Sequence, residues 1–508
     1  MPATASPRVP VPATLADLHR AWRLARKGKQ PSAGQLAFDV RWLDRLLALQ
    51  DRLNAGDWQP SRTVSFIVDR PKTREIHAPA FEDRIVHHWL IERLEPLFEP
   101  VFIHDSFANR KDKGTHAAVQ RLQSFMRSRN GHGYYLQLDI HNCFNTIHRG
   151  HLYERLCRRL DRSQRDDALD ADAALGMRSL CHKLLHRPVP DLTLQPSRVR
   201  LIPAHKLLRN AKPGCGIAVG NLTSQFFANV YLDELDQFVK HELKVRHYVR
   251  YVDDFVLLGD RPAQLEAWME KLSHFLDDHL GQRLRDGHVL QAICQGVDFL
   301  GYRVFKNRLG VRPRVLAHCE EALARWSKRH VRLRTDGATA HWWIRADSQK
   351  MAELRASLSS YWGHFSHAQV GPWANRWVQR HPWLARVLFA APERGCLPTL
   401  ACRWVVGGFS WSSQVDWVRD AYPECIAFIQ RGCHWQVDAA GRSKKARVAW
   451  DLPCHMERLR ASGTAYVRVV QNGRLKHGLR RREVVEWFFA TAPPSRRTAL
   501  PLSKPCAA

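Results

Sequence analysis

The chain has 508 residues and 45% hydrophobic content, enough for two to four domains with substantial cores. Its 78 Lys and Arg against 49 Asp and Glu leave a net charge of +29, which suits a polyanionic partner, either nucleic acid or an anionic membrane. No run of 18 apolar residues is present, residues 1–15 lack a basic-then-apolar leader, and the 12 Cys include no Cys-x-x-Cys pair; a membrane span, a secretory signal, a zinc ribbon and a disulfide framework are therefore set aside, and a cytoplasmic location is expected.

Residues 1–12 hold four Pro without periodicity and read as an unstructured lead. From Leu15 to Asn54 the apolar spacing is helical, with Leu18, Trp22, Leu24 and Ala25 on one face and Trp42, Leu43, Leu46, Leu47 and Leu53 on another. The Arg26-Lys27-Gly28-Lys29 cluster between them is a solvated turn or a nucleic-acid contact. Residues 1–60 are thus expected to form an N-terminal helical extension. Thr63 to Val68 alternates like a strand, and Pro71 to Ile76 supplies a turn and a second strand. Lys72 and Arg74, two residues apart, would share a strand face and offer paired cations to a triphosphate.

An amphipathic helix spans Phe81 to Phe98, carrying Ile85, Trp89, Leu90 and Leu94. A basic stretch with Arg110, Lys111 and Lys113 then precedes Thr115, which suits the N-cap of a helix through Val119, Leu122 and Phe125, a natural phosphate site. Tyr134 to Ile140 is a strand that ends in the carboxylate Asp139. Residues 150–213 look like an insert, with a charged, solvent-facing part from Asp161 to Asp172. Gly214, Gly216 and Gly220 would let the backbone approach a ligand closely. A helix follows from Ser224 through Phe226, Phe227, Val230 and Tyr231.

The stretch from Arg250 to Leu258 reads as two short strands with Asp253 and Asp254 at the tip of their hairpin. Adjacent carboxylates repel unless a cation neutralises them, and hard oxygen donors suit Mg²⁺. With Asp139 alongside, they would hold two ions roughly 4 Å apart, which clamp the attacking and leaving oxygens of a phosphoryl transfer.

Three segments now stand in a fixed order: Asp139 with Phe144 five residues on; Gly216 to Gln225; and Tyr251-Val252-Asp253-Asp254. They resemble motifs A, B and C of the reverse transcriptase palm. The resemblance implies an α+β fold, a right-hand polymerase with fingers, a palm whose antiparallel sheet carries the Asp triad, and a helical thumb. Fingers and palm are expected over 61–305, the thumb over 306–395, a basic C-terminal α/β nucleic-acid-binding domain over 396–490, and a tail over 491–508. Gly296 to Phe305 resembles the primer-grip hairpin.

By the same resemblance, Asp139, Asp253 and Asp254 are catalytic and, with the Ile140 carbonyl, bind two Mg²⁺, Mn²⁺ being an alternative. Lys72, Arg74 and Arg110 would contact the triphosphate. Phe144 would lie under the sugar and exclude a 2′-hydroxyl, while Val219, Gly220 and Gln225 would line the nascent pair. The implied partners are template RNA, nascent DNA and deoxynucleoside triphosphates, with a structured non-coding RNA and a small accessory protein as further candidates, and no membrane. Where most reverse transcriptases have Gln before the central Gly of motif B and Pro after its Ser, this chain has Val219 and Gln225. That pattern resembles diversity-generating retroelements and uncharacterised bacterial relatives, some of which serve antiphage defence, and it implies low fidelity. A palm that only binds RNA is the alternative, against which the complete set of carboxylates argues. The C-terminal region faintly resembles a MutS-type mismatch-recognition domain, with His434 and Gln436 in place of its Phe-x-Glu pair. A generic basic nucleic-acid-binding module fits it as well, through Lys444, Lys445 and Arg447 and through Arg480, Arg481 and Arg482.

Overall fold

A computed structural model describes residues 8–28, 30–69, 72–186, 196–336, 339–388, 400, 402–439, 442–448, 452–474 and 480–490. Contacts divide the chain into two units, Met1–Leu300 with Val304–Asn307, and Gly301–Arg303 with Arg308–Ala508.

The first unit opens with α1 (Leu15–Arg26), α2 (Ala33–Asp39) and α3 (Trp42–Asn54), the first two capped by the Thr14 and Ser32 hydroxyls. The lead before them is ordered from residue 8: Val11 is 1% exposed and its amide donates to the Leu53 carbonyl at 2.9 Å. An apolar residue that reaches the α3 surface outweighs the Pro-rich composition, while residues 1–7 lie outside the described residues. β1 (Val64–Val68) and β2 (Arg74–Ala78) then pair antiparallel, Val68 opposite Arg74. Next come α4 (Phe81–Phe98), α5 (Thr115–Ser128), β3 (Tyr134–Asp139), the single turn α6 (Cys143–Thr146), α7 (Arg149–Arg165), α8 (Ala171–Leu185), the short α9 (Pro196–Val199) and α10 (Leu222–Gln237). β4 (Tyr248–Tyr251), β5 (Asp254–Gly259), α11 (Pro262–Leu280) and β6 (Val289–Ala292) complete the sheet.

That sheet has the order β4-β5-β3-β6 with antiparallel pairing throughout. Strand alternation sorts its residues. Leu136 and Leu138 sit opposite Leu257 and Phe255, in a core shared with α4, α7, α10 and α11. Gln137 and Asp139 share the other face with Val256 and Asp254, which lie directly opposite them. The expected insert is part of this core: Leu152, Leu156 and Leu160 of α7 and Met177 and Leu180 of α8 are fully buried in it. The charged Asp161–Asp172 stretch covers only the turn between the two helices and their ends, so its composition concealed the apolar faces on either side. Residues 187–195 lie outside the described residues.

Three short strands, β7 (Val297–Phe299), β8 (Tyr302–Val304) and β9 (Leu309–Val311), occupy the segment where the chain passes into the second unit. In that unit follow α12 (Pro313–His330), β10 (Val331–Asp336), β11 (Thr339–Arg345), α13 (Ser348–Phe365), α14 (Gly371–Arg380), α15 (Pro382–Val387), α16 (Trp411–Ala421), β12 (Ile426–Arg431), β13 (His434–Ala439), β14 (Arg442–Val448), α17 (Leu452–Ala461), β15 (Tyr466–Arg474) and β16 (Arg480–Ala490). One seven-stranded sheet runs β10-β11-β16-β15-β12-β13-β14, and only β12 and β15 pair parallel. α17 closes one face, with Leu452 and Met456 against Phe428, Tyr466 and Phe488.

Here the expected domain limits need correction. The stretch 306–395 is not wholly helical, and a border at 395/396 cuts through the sheet, because β11 pairs with β16 from His341↔Ala490 to Arg345↔Glu486. The run His341-Trp342-Trp343-Ile344 is aromatic and β-branched, a strand former that needs a partner strand, and its partner lies far along the chain. His434 and Gln436 both fall on β13. Arg482 is no free cation: it is 3% exposed, donates to Gln414 Oε1 at 2.6 Å and to the Gln430 carbonyl at 2.9 Å, and lies over the Trp411 ring. Arg481 pairs with Glu483 at 2.8 Å. The side chains of Lys444, Lys445 and Arg447 lie outside the described residues. No helix among the described residues is long and apolar enough to cross a membrane.

Candidate active site

The hairpin between β4 and β5 is closed by two residues, Val252 and Asp253, with Tyr251 opposite Asp254. Val252 has φ of 57°. A β-branched residue rarely adopts that left-handed backbone, and a positive φ at the first of two turn residues matches a hairpin whose twist suits its strands. The turn sets Asp253 beside the end of β3: the Ile140 amide donates to the Asp253 carbonyl at 3.0 Å, and Asp139 lies directly opposite Asp254.

Electrostatics couple the two carboxylates. Burial and then the charge of Asp139 push the Asp253 carboxyl above its ordinary range, while a hydrogen bond from its own amide, Arg74 and Lys72 pull it back. Lys72 and Arg74, carried by the β1–β2 hairpin, thus lie within electrostatic reach of Asp253. Lys72 stands in the turn rather than on the strand, since β2 begins at Arg74, and both side chains are exposed. Asp254 Oδ1 accepts from Gln137 Nε2 at 3.0 Å, and Asp139 Oδ2 accepts from Arg285 Nη1 at 3.3 Å. Among the described residues no group of three His, Cys, Asp or Glu side chains closes round a common point. The donor set still fits a hard divalent ion, because every donor is oxygen and the Asp139–Asp253 repulsion is relieved by a cation.

The remaining candidates separate. Phe144 is partly buried on α6 against the core, and its carbonyl accepts from the Ile217 amide at 2.9 Å, tying this turn to the loop before α10. The Val219 carbonyl accepts from the His77 amide at 2.8 Å. Gly220 has φ of 115°, and a Cβ there would lie 2.7 Å from Ile76 Cγ2 and 2.9 Å from the His77 carbonyl. Its close approach is thus to β2 rather than to a ligand, a correction with a purpose: it clamps the cationic hairpin to the loop that leads into α10. Gln225 is partly exposed in the first turn of α10, while Ser224 is 5% exposed and lines a cavity of about 60 Å³ with His77, His87 and Thr223.

Arg110 leaves the site altogether. Its side chain is 5% exposed, forks onto Glu99 and donates to the Ile103 and Ser106 carbonyls at 2.6 and 2.9 Å. An arginine that satisfies three acceptors inside the protein is a structural tie. Lys113 likewise donates to the His104 carbonyl, and Gly114, not Thr115, is the N-cap of α5. Thr115 Oγ1 instead donates to Tyr251 Oη at 3.3 Å.

Sequence reasoning missed Gln137, Arg285 and the buried Arg250. Gln137 was within reach, since it stands two residues before Asp139 on a strand and must share its face. Arg250 carried a signal too, as a cation inside an apolar strand run. Arg285 had none: it lies 146 residues from Asp139 and arrives through an extra edge in which its amide donates to the Asp139 carbonyl at 2.8 Å.

Residues 67–304 match the family described as Reverse transcriptase (RNA-dependent DNA polymerase). This segment is similar to reverse transcriptase domains. Its enzyme class is RNA-directed DNA polymerase. The chain is 26% identical over 301 residues to Protein YkfC of Escherichia coli (strain K12), a similarity that covers 52% of this chain and 72% of that protein. It is 25% identical over 308 residues to the Group II intron-encoded protein LtrA of Lactococcus lactis subsp. cremoris, covering 48% of this chain and 46% of LtrA. The chain thus spans less than half the length of LtrA. Among solved structures, apo telomerase from Candida Tropicalis, truncated from its C-terminal domain, aligns over 50% of this chain and 56% of its own at 13% identity, with a TM-score of 0.34.

Proposed function

We propose that the chain extends a primer on an RNA template with deoxynucleotides, by phosphoryl transfer at Asp139 and Asp253. The observation that carries this reading is the charge balance at Asp253, whose carboxyl the negative Asp139 pushes up and the positive Arg74 and Lys72 pull down. Carboxylates within reach of cations suit a triphosphate whose negative charge grows in the transition state.

Asp139, Asp253 and the Ile140 carbonyl would hold two Mg²⁺, with Mn²⁺ as the substitute, and Asp254 supports them from its place opposite Asp139. Ions held by these oxygens would supply the charge that activates an attacking hydroxyl and neutralises the leaving oxygen. Arg74 and Lys72 orient the triphosphate and offset its charge. Phe144 stands under the sugar as a steric wall that selects deoxynucleotides. The partners that follow are template RNA, nascent DNA and deoxynucleoside triphosphates, with a structured RNA and a small accessory protein belonging to the same reading. Val219 in motif B supports the diversity-generating type, because an aliphatic side chain there selects nucleotides by shape alone.

The test is primer extension on a defined RNA by the purified full chain with deoxynucleotides and Mg²⁺. Asp253→Asn removes one charge without changing shape, and activity is expected to fall on the order of 10³-fold while the unfolding transition is kept. Extension by this variant at the wild-type rate sinks the reading.

A further inference from the structure

Arg250 is fully buried two residues before the tip of the catalytic hairpin. A guanidinium is taken out of water only where its charge and its donors are met. Its Nε and Nη2 fork onto Asp236 at 2.7 and 2.5 Å, Nη2 also donates to Ser106 Oγ at 3.1 Å, and Nη1 donates to Asn229 Oδ1 at 3.3 Å and to the Val252 carbonyl at 3.0 Å. Asp236 and Asn229 belong to α10, and Ser106 lies in the loop before α5, whose backbone is bonded on both sides of Arg250: the Arg250 amide donates to the Asp105 carbonyl and the Phe107 amide to the Arg250 carbonyl.

The fork onto Asp236 meets the charge through Nε and Nη2, while Nη1 is left to Asn229 and the Val252 carbonyl. The bond to Val252 therefore meets a buried donor and also reaches the tip of the hairpin. That residue holds a backbone conformation costly for a β-branched side chain, which persists only where the surroundings over-determine it. Its carbonyl belongs to the peptide bond that leads into Asp253, so whatever fixes that peptide fixes the direction in which Asp253 is presented.

We propose that Arg250 is a positioning residue for polymerisation: its bond to the Val252 carbonyl holds the strained tip in the conformation that carries Asp253 to Asp139, and its fork onto Asp236 makes the tip move with α10. One side chain then sets the carboxylate half of the site and the motif B half in register. The proposal rests on the reading of Asp253 as the catalytic carboxylate.

Arg250→Lys is the main variant. It keeps a positive charge for Asp236, but a single ammonium cannot fork onto the carboxylate and reach the Val252 carbonyl at once. At saturating deoxynucleotide, kcat is expected to drop by about 30- to 100-fold, with KM within about threefold and a cooperative unfolding transition retained. Val252→Gly is then added, because glycine takes a positive φ without strain. The double variant is expected to regain kcat about tenfold over Arg250→Lys, since its tip no longer depends on the tether. A core-only role predicts no such rescue. If Arg250→Lys does not purify folded, Ser106→Ala serves instead, and a loss in kcat of roughly 3- to 10-fold at unchanged KM is expected from the slackened guanidinium. Wild-type kcat in Arg250→Lys or Ser106→Ala, or no rescue by Val252→Gly, overturns the proposal. A wild-type chain inactive in the same assay sinks the polymerase reading itself, and the positioning role falls with it.

Discussion

At the scale of single residues, charge and shape decide what the site does, and two positions lend themselves to measurement. The side chain of Val219 has no hydrogen-bonding group, so in the role proposed for it a mismatched pair would meet no unpaired polar partner. Such a partner contributes on the order of 1–3 kcal/mol, about 5- to 150-fold in discrimination. Val219→Gln is expected to lower the error rate of RNA copying with a modest change in overall rate, read by sequencing the products of both forms; identical error spectra contradict the role given to Val219. Asp233, on α10 three residues before the partner of Arg250, concerns stability. Burial first and the charge of Asp236 second raise its carboxyl from 3.8 to about 6. The folded chain therefore holds more protons than the unfolded one between those values, so the contribution is complete below about pH 4 and is lost as pH rises through about 6. Asp233→Asn should unfold at a higher temperature than wild type at pH 8 and show a flatter pH dependence between pH 4 and 6.5; coincident profiles would refute this. Residues of this kind also mark the limit of sequence reading. Asp139 and Asp253 interact electrostatically, as do Asp253, Arg74 and Lys72, but Lys72 stands in the turn rather than on the strand face that its spacing suggests. Arg110 was misread because its charge said nothing about Glu99, eleven residues back, which claims it.

At the scale of elements, local pattern was a good guide and long-range pairing a poor one. The helices from Leu15 to Asn54, the β1–β2 hairpin and the β4–β5 hairpin follow from periodicities that a few neighbouring residues carry. The burial of α7 and α8 was hidden by the charged turn between them. The contact that locks the β1–β2 hairpin to the loop before α10 depends on Gly220, whose place in the sequence suggests a glycine facing a ligand. Gly220→Ala adds a methyl group at a positive φ, 2.7 Å from Ile76 and 2.9 Å from the His77 carbonyl. It is expected to cost about 1–3 kcal/mol of stability and to raise KM for the triphosphate, since Arg74 and Lys72 ride on the displaced hairpin. Thermal unfolding and steady-state kinetics test both effects, and an unchanged KM would separate the hairpin from nucleotide binding.

At the scale of the whole molecule, the second unit shows why sequence order misleads about domain limits. Removing residues 399–508 was a natural way to isolate a polymerase from its C-terminal region, but it strips β16 from β11 and exposes an edge that carries Trp342, Trp343 and Ile344. Such an edge invites pairing with other chains. That truncation is expected to aggregate, whereas one ending at Asn307, at the close of the first unit, should remain monodisperse with a single unfolding transition. Size-exclusion chromatography with light scattering distinguishes them, and a well-behaved 1–398 protein would show that β10 and β11 need no partner.

The same sheet has a consequence for synthesis. About 135 residues separate Arg345, the last of β11, from Arg480, the first of β16. At roughly 5–20 residues per second on a ribosome, β11 waits about 7–27 s before its neighbour has been made. The first unit is complete before that wait begins and can fold while the rest is still being translated. The later unit therefore passes through an interval with an aromatic strand uncovered, and its yield in a cell should depend on translation speed and on chaperones that shield the strand.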